Sequence, residues 1–230
     1  MKPLESLRIK IFADGADIDT MLRLNDDPLI KGLTTNPSLM RKSGIKDYRA
    51  FAKEVLAVVK TKPISFEVFA DDLQEMERQA REISSWGENV YVKIPITNSL
   101  GEPTINLISH LTIDDIKVNV TAIITENQSN AAVAAILHTT EAIISIFNGR
   151  VMDTGQDPII LPLFFGQPEF LWASCREPYN IYQAEDLDYD IITVPEAILT
   201  KARQFQGYEL DKLSLETVQQ FKKDSEGYTL

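Results

Sequence analysis

One lysine of this sequence lies inside a short apolar segment. Lys93 follows Val90, Tyr91 and Val92 and precedes Ile94. An ammonium group in such a segment loses hydration, so a neutral, nucleophilic amine becomes accessible near pH 7. This is the group that attacks a ketone or aldehyde to form a Schiff base. For Lys93 taken alone, the alternative is a structural lysine paired with a buried carboxylate.

Two carboxylates, Asp14 and Glu67, follow other segments of similar apolar character. Chemistry on a lysine-bound carbonyl needs proton transfers, and two acids together with the hydroxyl of Thr121 could position a water molecule that relays protons. Each acid also has a structural alternative. Asp14 precedes a helical run and could cap it, and Glu67 could simply pair with Lys93.

Further polar or aromatic side chains occur where other apolar runs end. Residues two apart in a strand share a face. The pairs with this spacing are Asn119 and Thr121, Ser145 and Phe147, and Ser174 and Arg176. Thr35 and Asn36 follow another run in the same way. Polar groups at so many strand ends do not serve packing, which favours apolar side chains, and therefore indicate a site.

Two arginines, Arg150 and Arg176, follow the sixth and seventh of these runs. A guanidinium group beside the hydroxyl of Ser174 offers a fork of donors for a phosphate group. A surface salt bridge is the usual alternative for an arginine. The phosphate-binding role requires that both arginine side chains lie at the same end of the fold.

The elements that must position these side chains alternate along the chain. Short β-branched runs occupy residues 8–13, 29–33, 64–69, 89–94, 116–122, 142–147, 169–174 and 190–194, with helical patterns between them. This alternation predicts an α/β fold, a (β/α)8 TIM barrel, in which functional side chains project from the carboxyl ends of the strands. An open doubly wound sheet is the competitor, but its glycine-rich fingerprint is absent after the first run.

Glycine and proline are scattered, and no linker marks a boundary. We therefore expect residues 1–230 to form a single barrel domain, with about residues 200–230 as a C-terminal helical extension. The polar helix predicted over 214–223 is left without a surface to cover in its own barrel, so it could pack on a neighbouring subunit.

The formal net charge of -11 argues against nucleic-acid and membrane partners. Cys175 is the only cysteine, and neither His110 nor His138 has a partner at metal-ligand spacing, so no metal site is predicted. The first residues lack a secretory signal pattern, and no window of about 18 residues is wholly apolar. These features predict a cytoplasmic protein.

Several of these residues also belong to longer motifs. Residues 32–38, GLTTNPS, resemble the signature loop of the transaldolase family, and residues 91–95, YVKIP, resemble the segment that carries its Schiff-base lysine. The resemblance extends over roughly residues 9–195 in the same order and spacing. Its other matches are Asp14, Glu67, 119–121, 145–150 and 173–176.

The resemblance implies a transferase mechanism. Lys93 would attack the C2 ketone of a ketose phosphate, fructose 6-phosphate or sedoheptulose 7-phosphate, and Asp14 would take the C4 hydroxyl proton as the C3–C4 bond breaks. The dihydroxyacetone unit would stay on Lys93 until an aldose phosphate accepts it. Glu67 and Thr121 would hold the catalytic water.

The resemblance also implies the substrate contacts. Asn36 and Asn119 would bind sugar hydroxyls, with Thr35, Ser145 and Phe147 as further substrate-binding residues, and Arg150, Ser174 and Arg176 would bind the phosphate. No metal or organic cofactor is implied. The chain resembles a compact subfamily whose members form ring-like decamers through a C-terminal helix, so a homo-oligomer is expected, a decamer or pentamer before a dimer.

Two alternatives stay open. The related fructose-6-phosphate aldolases release free dihydroxyacetone, and their pattern has glutamine at the position of Glu67 and tyrosine at that of Phe147. The glutamate and phenylalanine of this chain favour a transaldolase. The segment 151–167, beside the predicted phosphate pocket, departs from the family pattern and leaves the sugar open. A catalytically silent sugar-phosphate-binding barrel is the third reading, and the intact Lys93 argues against it.

Overall fold

Eight parallel strands close into a barrel in the order in which they occur along the chain. The structure is a computed structural model, and it describes residues 2–136, 141–159, 161 and 168–228. The strands are β1 Lys10–Asp14, β2 Ile30–Thr34, β3 Ile64–Glu67, β4 Val90–Pro95, β5 Val118–Ile123, β6 Ala142–Ile146, β7 Glu169–Trp172 and β8 Ile191–Pro195. Their ends differ from the predicted runs by at most two residues. The predicted (β/α)8 TIM barrel is therefore confirmed.

Helices surround this barrel. They are α1 Ile18–Asn25, α2 Pro37–Lys42, α3 Tyr48–Val58, α4 Leu73–Ser84, α5 Ile105–Ile113, α6 Glu126–Ala135, α7 Asn148–Asp153, α8 Tyr179–Asp186, α9 Glu196–Phe205 and α10 Leu210–Asp224. Several begin at a residue whose side-chain oxygen accepts a hydrogen bond from the first turn, which satisfies an otherwise unpaired backbone donor. These capping residues are Asp17, Asn36, Asp47, Asp72 and Thr125.

The amino-terminal part of the barrel interior is filled by large side chains. Phe12, Tyr91, Ile143, Leu171 and Ile191 are buried together there. Gly32 on β2 makes room for this cluster, because a Cβ at that position would overlap the Phe12 ring. Open space is therefore left at the carboxyl ends of the strands, which is where barrels of this type place their functional groups.

The C-terminal helices differ in how they pack. α9 buries Leu199 and Ala202, whereas α10, all of whose residues the structure describes, buries none. Leu215, Val218 and Phe221 leave more than half of their surface exposed on α10. The predicted helical extension is present, and none of the residues of α10 is buried against the barrel.

Of the two histidines, only His110 lies among the described residues. His110 is exposed on α5, and His138 lies outside the described residues. In the described ranges, no helix combines the length and the apolar character needed to cross a membrane.

Candidate active site

A cavity of about 480 Å³ opens at the carboxyl ends of the strands. Most of the predicted site residues line it, namely Asp14, Asn36, Glu67, Lys93, Thr121, Ser145, Phe147, Arg150, Ser174 and Arg176. Thr35 and Asn119 do not line it. Both are fully buried and contact residues that do. The structure thus gathers side chains from seven strands or the loops that follow them.

Lys93 is the buried cation of this cavity. It projects from β4, where parallel pairing sets it opposite Glu67 on β3 and Asn119 on β5. Its Nζ donates a hydrogen bond of 3.0 Å to the carbonyl oxygen of Thr35 and lies 3.5 Å from Oε2 of Glu67. The structural pairing with a carboxylate is therefore present, but the amine also faces open space where a carbonyl compound could reach it.

Asp14 lines the same cavity. Its Oδ1 accepts a hydrogen bond of 2.8 Å from the hydroxyl of Thr34. Burial raises the pKa of Asp14, and the positive charge of Lys93 and hydrogen bonds from Thr34 and Asn36 offset part of the rise. Asp14 is not a helix cap, because the side chain of Asp17 caps α1. Its burial has no helix-capping explanation.

The backbone of Glu67 is held by two hydrogen bonds with the Tyr48 hydroxyl. Its backbone N–H donates 2.8 Å to the Tyr48 hydroxyl, which in turn donates 3.1 Å to the Glu67 carbonyl oxygen. Burial raises the pKa of the Glu67 carboxyl, the neighbouring Lys93 lowers it, and the charge of Asp14 raises it. Carboxyl groups with raised pKa values in a cleft are candidates for proton transfer near neutral pH.

A buried chain of hydrogen bonds crosses the barrel next to Lys93. Asn119 donates 3.0 Å through Nδ2 to the Ser65 hydroxyl, and its Oδ1 accepts 2.6 Å from the Ser145 hydroxyl. Because this amide is fixed at both ends, the predicted substrate-binding residue Asn119 orients Ser145 at the cavity wall. Asn36 is similarly engaged, since its Oδ1 caps α2 by accepting from the Leu39 N–H.

Thr121 stands at an irregularity in β5. The register with β6 shifts between Val120 and Ile123, and Ala122 has a positive φ of 61°. The Thr121 hydroxyl is buried and has no hydrogen-bond partner among the described residues. Buried polar atoms are nearly always paired, so this hydroxyl is available to a water molecule or a substrate atom in the cavity.

The β6 and β7 side of the mouth is more open. The Arg150 guanidinium lies 5.3 Å from the centre of the Phe147 ring, and Arg176 donates 2.5 Å to Oδ2 of Asp153. Ser174 has a φ of 66°, and its carbonyl oxygen would collide with a Cβ at position 149. Gly149 thus permits the close approach that brings the Ser174 loop to the start of α7.

Within the described residues, no group of three or more histidine, cysteine, aspartate or glutamate side chains is arranged to hold a metal ion. Cys175 lines the cavity, and burial raises the pKa of its thiol to about 12. At neutral pH this thiol is protonated and is a poor nucleophile.

Sequence reasoning assigned no role to four residues of the site. Tyr48 and Ser65 hold Glu67 and Asn119 in place, and Thr34 and Thr193 form a pair beside Asp14. A signal existed for Thr193, which lies near the end of the eighth predicted run, where the strand-end rule applies as it does to the other strands. Tyr48 had no such signal, because it begins a helix far from the strand end that it supports.

Residues 11–161 match the family described as Transaldolase/Fructose-6-phosphate aldolase. The chain belongs to this family. A "Probable transaldolase" of Methanococcus maripaludis is 36% identical over 201 residues, which cover 84% of this chain and 89% of the relative. A "Probable transaldolase" of Dehalococcoides mccartyi is 32% identical over 204 residues, which cover 85% of this chain and 91% of the relative.

Among solved structures, 2,3-dimethylmalate lyase superposes with a TM-score of 0.54 at 14% identity, over 93% of this chain and 86% of that chain. At that identity the likeness concerns the barrel fold alone. The transaldolase/fructose-6-phosphate aldolase assignment agrees with the resemblance noted from residues 32–38 and 91–95. It makes the chain a member of an enzyme family whose motifs coincide with the cavity wall.

Proposed function

We propose that this family member is a transaldolase-type transferase that moves a dihydroxyacetone unit from a ketose phosphate to an aldose phosphate through a Schiff base on Lys93. The donor would be fructose 6-phosphate or sedoheptulose 7-phosphate. The observation that carries the proposal is the buried Lys93 amine, which faces a cavity also lined by Asp14 and Glu67.

The first step joins the donor to the protein. The Lys93 amine attacks the C2 carbonyl, and the resulting carbinolamine loses water to give an imine. That loss needs a proton on the departing hydroxyl group. Glu67, 3.5 Å from the Lys93 amine and with a raised pKa, can deliver it. The unpaired Thr121 hydroxyl can hold the water molecule between them.

The second step divides the sugar. Asp14 takes the proton of the C4 hydroxyl, the C3–C4 bond breaks, and its electron pair moves into the protonated imine to form an enamine on Lys93. An aldose phosphate leaves. The same steps in reverse join the enamine to the acceptor and return the proton from Asp14. Asp14 and Lys93 both line the cavity, so one donor molecule could reach both groups.

The remaining site residues would bind the substrate. We assign the phosphate to Arg150, Ser174 and Arg176, where a phosphate would replace the carboxylate of Asp153 on Arg176. Asn36, Ser145 and Phe147 line the cavity and would contact the sugar. The buried Thr35 and Asn119 would act through Lys93 and Ser145, which they contact.

Borohydride trapping tests the proposal. Incubation with fructose 6-phosphate and borohydride should leave a reduced three-carbon adduct on the peptide that contains Lys93. Peptide mass mapping reads out the adduct, its size and its position together. The Lys93→Met protein should show none. Absence of an adduct with both donors, or an adduct on another lysine, would contradict the mechanism.

A lyase that releases free dihydroxyacetone is the second candidate. Phe147 favours the transferase, because a phenol at that position could hold water against the enamine and speed its protonation, whereas a phenyl ring cannot. Measurement of free dihydroxyacetone without an acceptor separates the two, since a lyase releases it whereas a transferase keeps the unit on Lys93 until an aldose phosphate accepts it. A binding-only barrel would turn over neither substrate.

We also propose that the protein is a homo-oligomer, a decamer or pentamer before a dimer, that acts in the cytoplasm on small sugar phosphates without a cofactor, nucleic acid or membrane. The exposed apolar side chains of α10 support an interface between copies. Sedimentation of the full chain should give a multiple of 25.9 kDa. Val218→Glu combined with Phe221→Glu should shift it toward the monomer, whereas Gln219→Glu should not.

A further inference from the structure

The hydroxyl of Thr193 forms a hydrogen bond beside the proposed base. β1 lies between β2 and β8, with Asp14 opposite Thr34 on one side and Phe12 opposite Thr193 on the other. The Thr34 and Thr193 hydroxyl oxygens are 2.5 Å apart, and Thr34 also donates 2.8 Å to Asp14. Three oxygens therefore form a chain that runs from β8 to the Asp14 carboxylate.

The direction of this chain follows from the number of protons. An ionised carboxylate only accepts hydrogen bonds, so the single proton of the Thr34 hydroxyl points to Asp14. The proton between Thr34 and Thr193 must then come from Thr193. Thr34 is the one hydrogen-bond partner of the Thr193 hydroxyl among the described residues. A donor that itself accepts a hydrogen bond is polarised and binds a carboxylate more strongly.

From this geometry we infer that Thr193 is a positioning residue, which keeps Thr34 donating to the ionised, correctly oriented form of Asp14. The inference rests on the proposed function, in which Asp14 must be ionised to take the C4 hydroxyl proton. Both threonines are buried, so water does not replace the missing hydrogen bond easily.

Other groups near Asp14 affect its carboxyl group independently of the hydroxyl chain formed by Thr193 and Thr34. Lys93 on β4 faces it with a positive charge, Glu67 on β3 and Cys175 after β7 are the other titratable neighbours, and Asn36 donates a hydrogen bond. A substitution at Thr193 leaves all of these in place. Its effect on the acid limb of the pH profile is therefore an effect of the hydroxyl chain.

Thr193→Val tests the inference, because valine keeps the shape and removes the hydroxyl. We expect kcat to fall about tenfold, the size of one lost hydrogen bond, with KM changed by less than about twofold. The ionised form of Asp14 loses stabilisation, so the acid limb of the kcat profile should move to higher pH. Thr193→Ser should restore both properties. Thr112→Val removes an equally buried hydroxyl on α5 and should change neither.

Unchanged kcat and an unmoved acid limb in Thr193→Val would overturn the inference, and so would an equal loss in Thr193→Ser. If the valine protein does not fold, judged by circular dichroism, Thr193→Ala is compared with Thr193→Ser in the same way. Borohydride trapping of the wild type and of each variant distinguishes failure of the proposed function from failure of this inference. A wild-type protein without an adduct on Lys93 overturns the proposed function and this inference together. A trapped adduct with unaltered kinetics in Thr193→Val overturns the inference alone.

Discussion

Lysine–glutamate pairs occur at both ends of the barrel. At the carboxyl end, Lys93 and Glu67 are 3.5 Å apart with side chains 8% and 15% exposed. At the amino end, Lys117 and Glu141 are 2.6 Å apart with side chains 35% and 54% exposed. The closer pair is screened by water and contributes little, whereas the looser pair holds charges that lose hydration. Burial, and not the separation of the charges, distinguishes the pair that lines the cavity.

The pKa values of the two glutamates are shifted in opposite directions. Burial raises the pKa of Glu67, whereas the hydrogen bond from Lys117 lowers the pKa of Glu141. Glu141 also accepts a hydrogen bond of 3.3 Å from Tyr91, one of the side chains that fill the barrel interior. The amino end thus stabilises its charges, while the carboxyl end keeps them poorly solvated beside the cavity.

Substitution of the lysine in each pair should give the largest difference in turnover between the two ends of the barrel. Lys93→Met removes the nucleophile, so we expect turnover to fall by at least about 10³-fold, since covalent catalysis has no substitute there. Lys117→Met should leave kcat within about twofold, because that pair does not touch the cavity. A coupled assay of aldose phosphate release measures both. Equal activity in the two variants would remove the distinction between the two ends.

Loss of the glutamate should give a smaller contrast. Glu67→Ala removes the proton donor and the water ligand, so kcat should fall by roughly 10²-fold, the lower range for general acid–base catalysis. Glu141→Ala should stay near the wild type. Pre-steady-state mixing with fructose 6-phosphate should show that Glu67→Ala slows formation of the trappable adduct. Normal adduct formation in that variant would assign the proton transfer to another group.

The smallest expected effects are on thermal stability, where substitution of a carboxylate should raise Tm at the carboxyl end of the barrel and lower it at the amino end. The raised pKa of Asp14 means that the unfolded chain loses this proton first as pH rises, so the ionised carboxylate destabilises the fold at neutral pH. Asp14→Asn should raise Tm, by an amount that grows with pH above the ordinary aspartate range. The lowered pKa of Glu141 gives stability that is present at neutral pH and lost as pH falls. Glu141→Gln should lower Tm at neutral pH by at most about 4 °C, for a pair worth about 1 kcal/mol or less.

Calorimetry at two pH values measures both variants. A Tm of Asp14→Asn below that of the wild type at neutral pH would show that the attraction of Lys93 outweighs the burial of Asp14. The ionised carboxylate would then stabilise the fold at the carboxyl end, as Glu141 does at the amino end, and the two ends would no longer differ in the sign of this effect.

The sequence by itself determined the barrel and most of the cavity wall. Residues two apart on a strand share a face whatever the tertiary contacts, so Asn119 and Thr121 could be placed on one face of β5 from spacing alone. Lys93 could be recognised because a charged residue in an apolar strand is costly without a reason. The capping residues Asn36 and Thr125 also act through neighbours only three residues away.

Only the tertiary structure decided how these groups are held. The Thr34–Thr193 contact joins residues 159 positions apart in the chain, and it depends on β8 closing the barrel against β1. The Tyr48 clamp on Glu67 and the contact of Gly149 with Ser174 likewise join separate elements. Local periodicity sets the direction in which a side chain points, but a distance between two strands follows from register and closure, which no local pattern encodes.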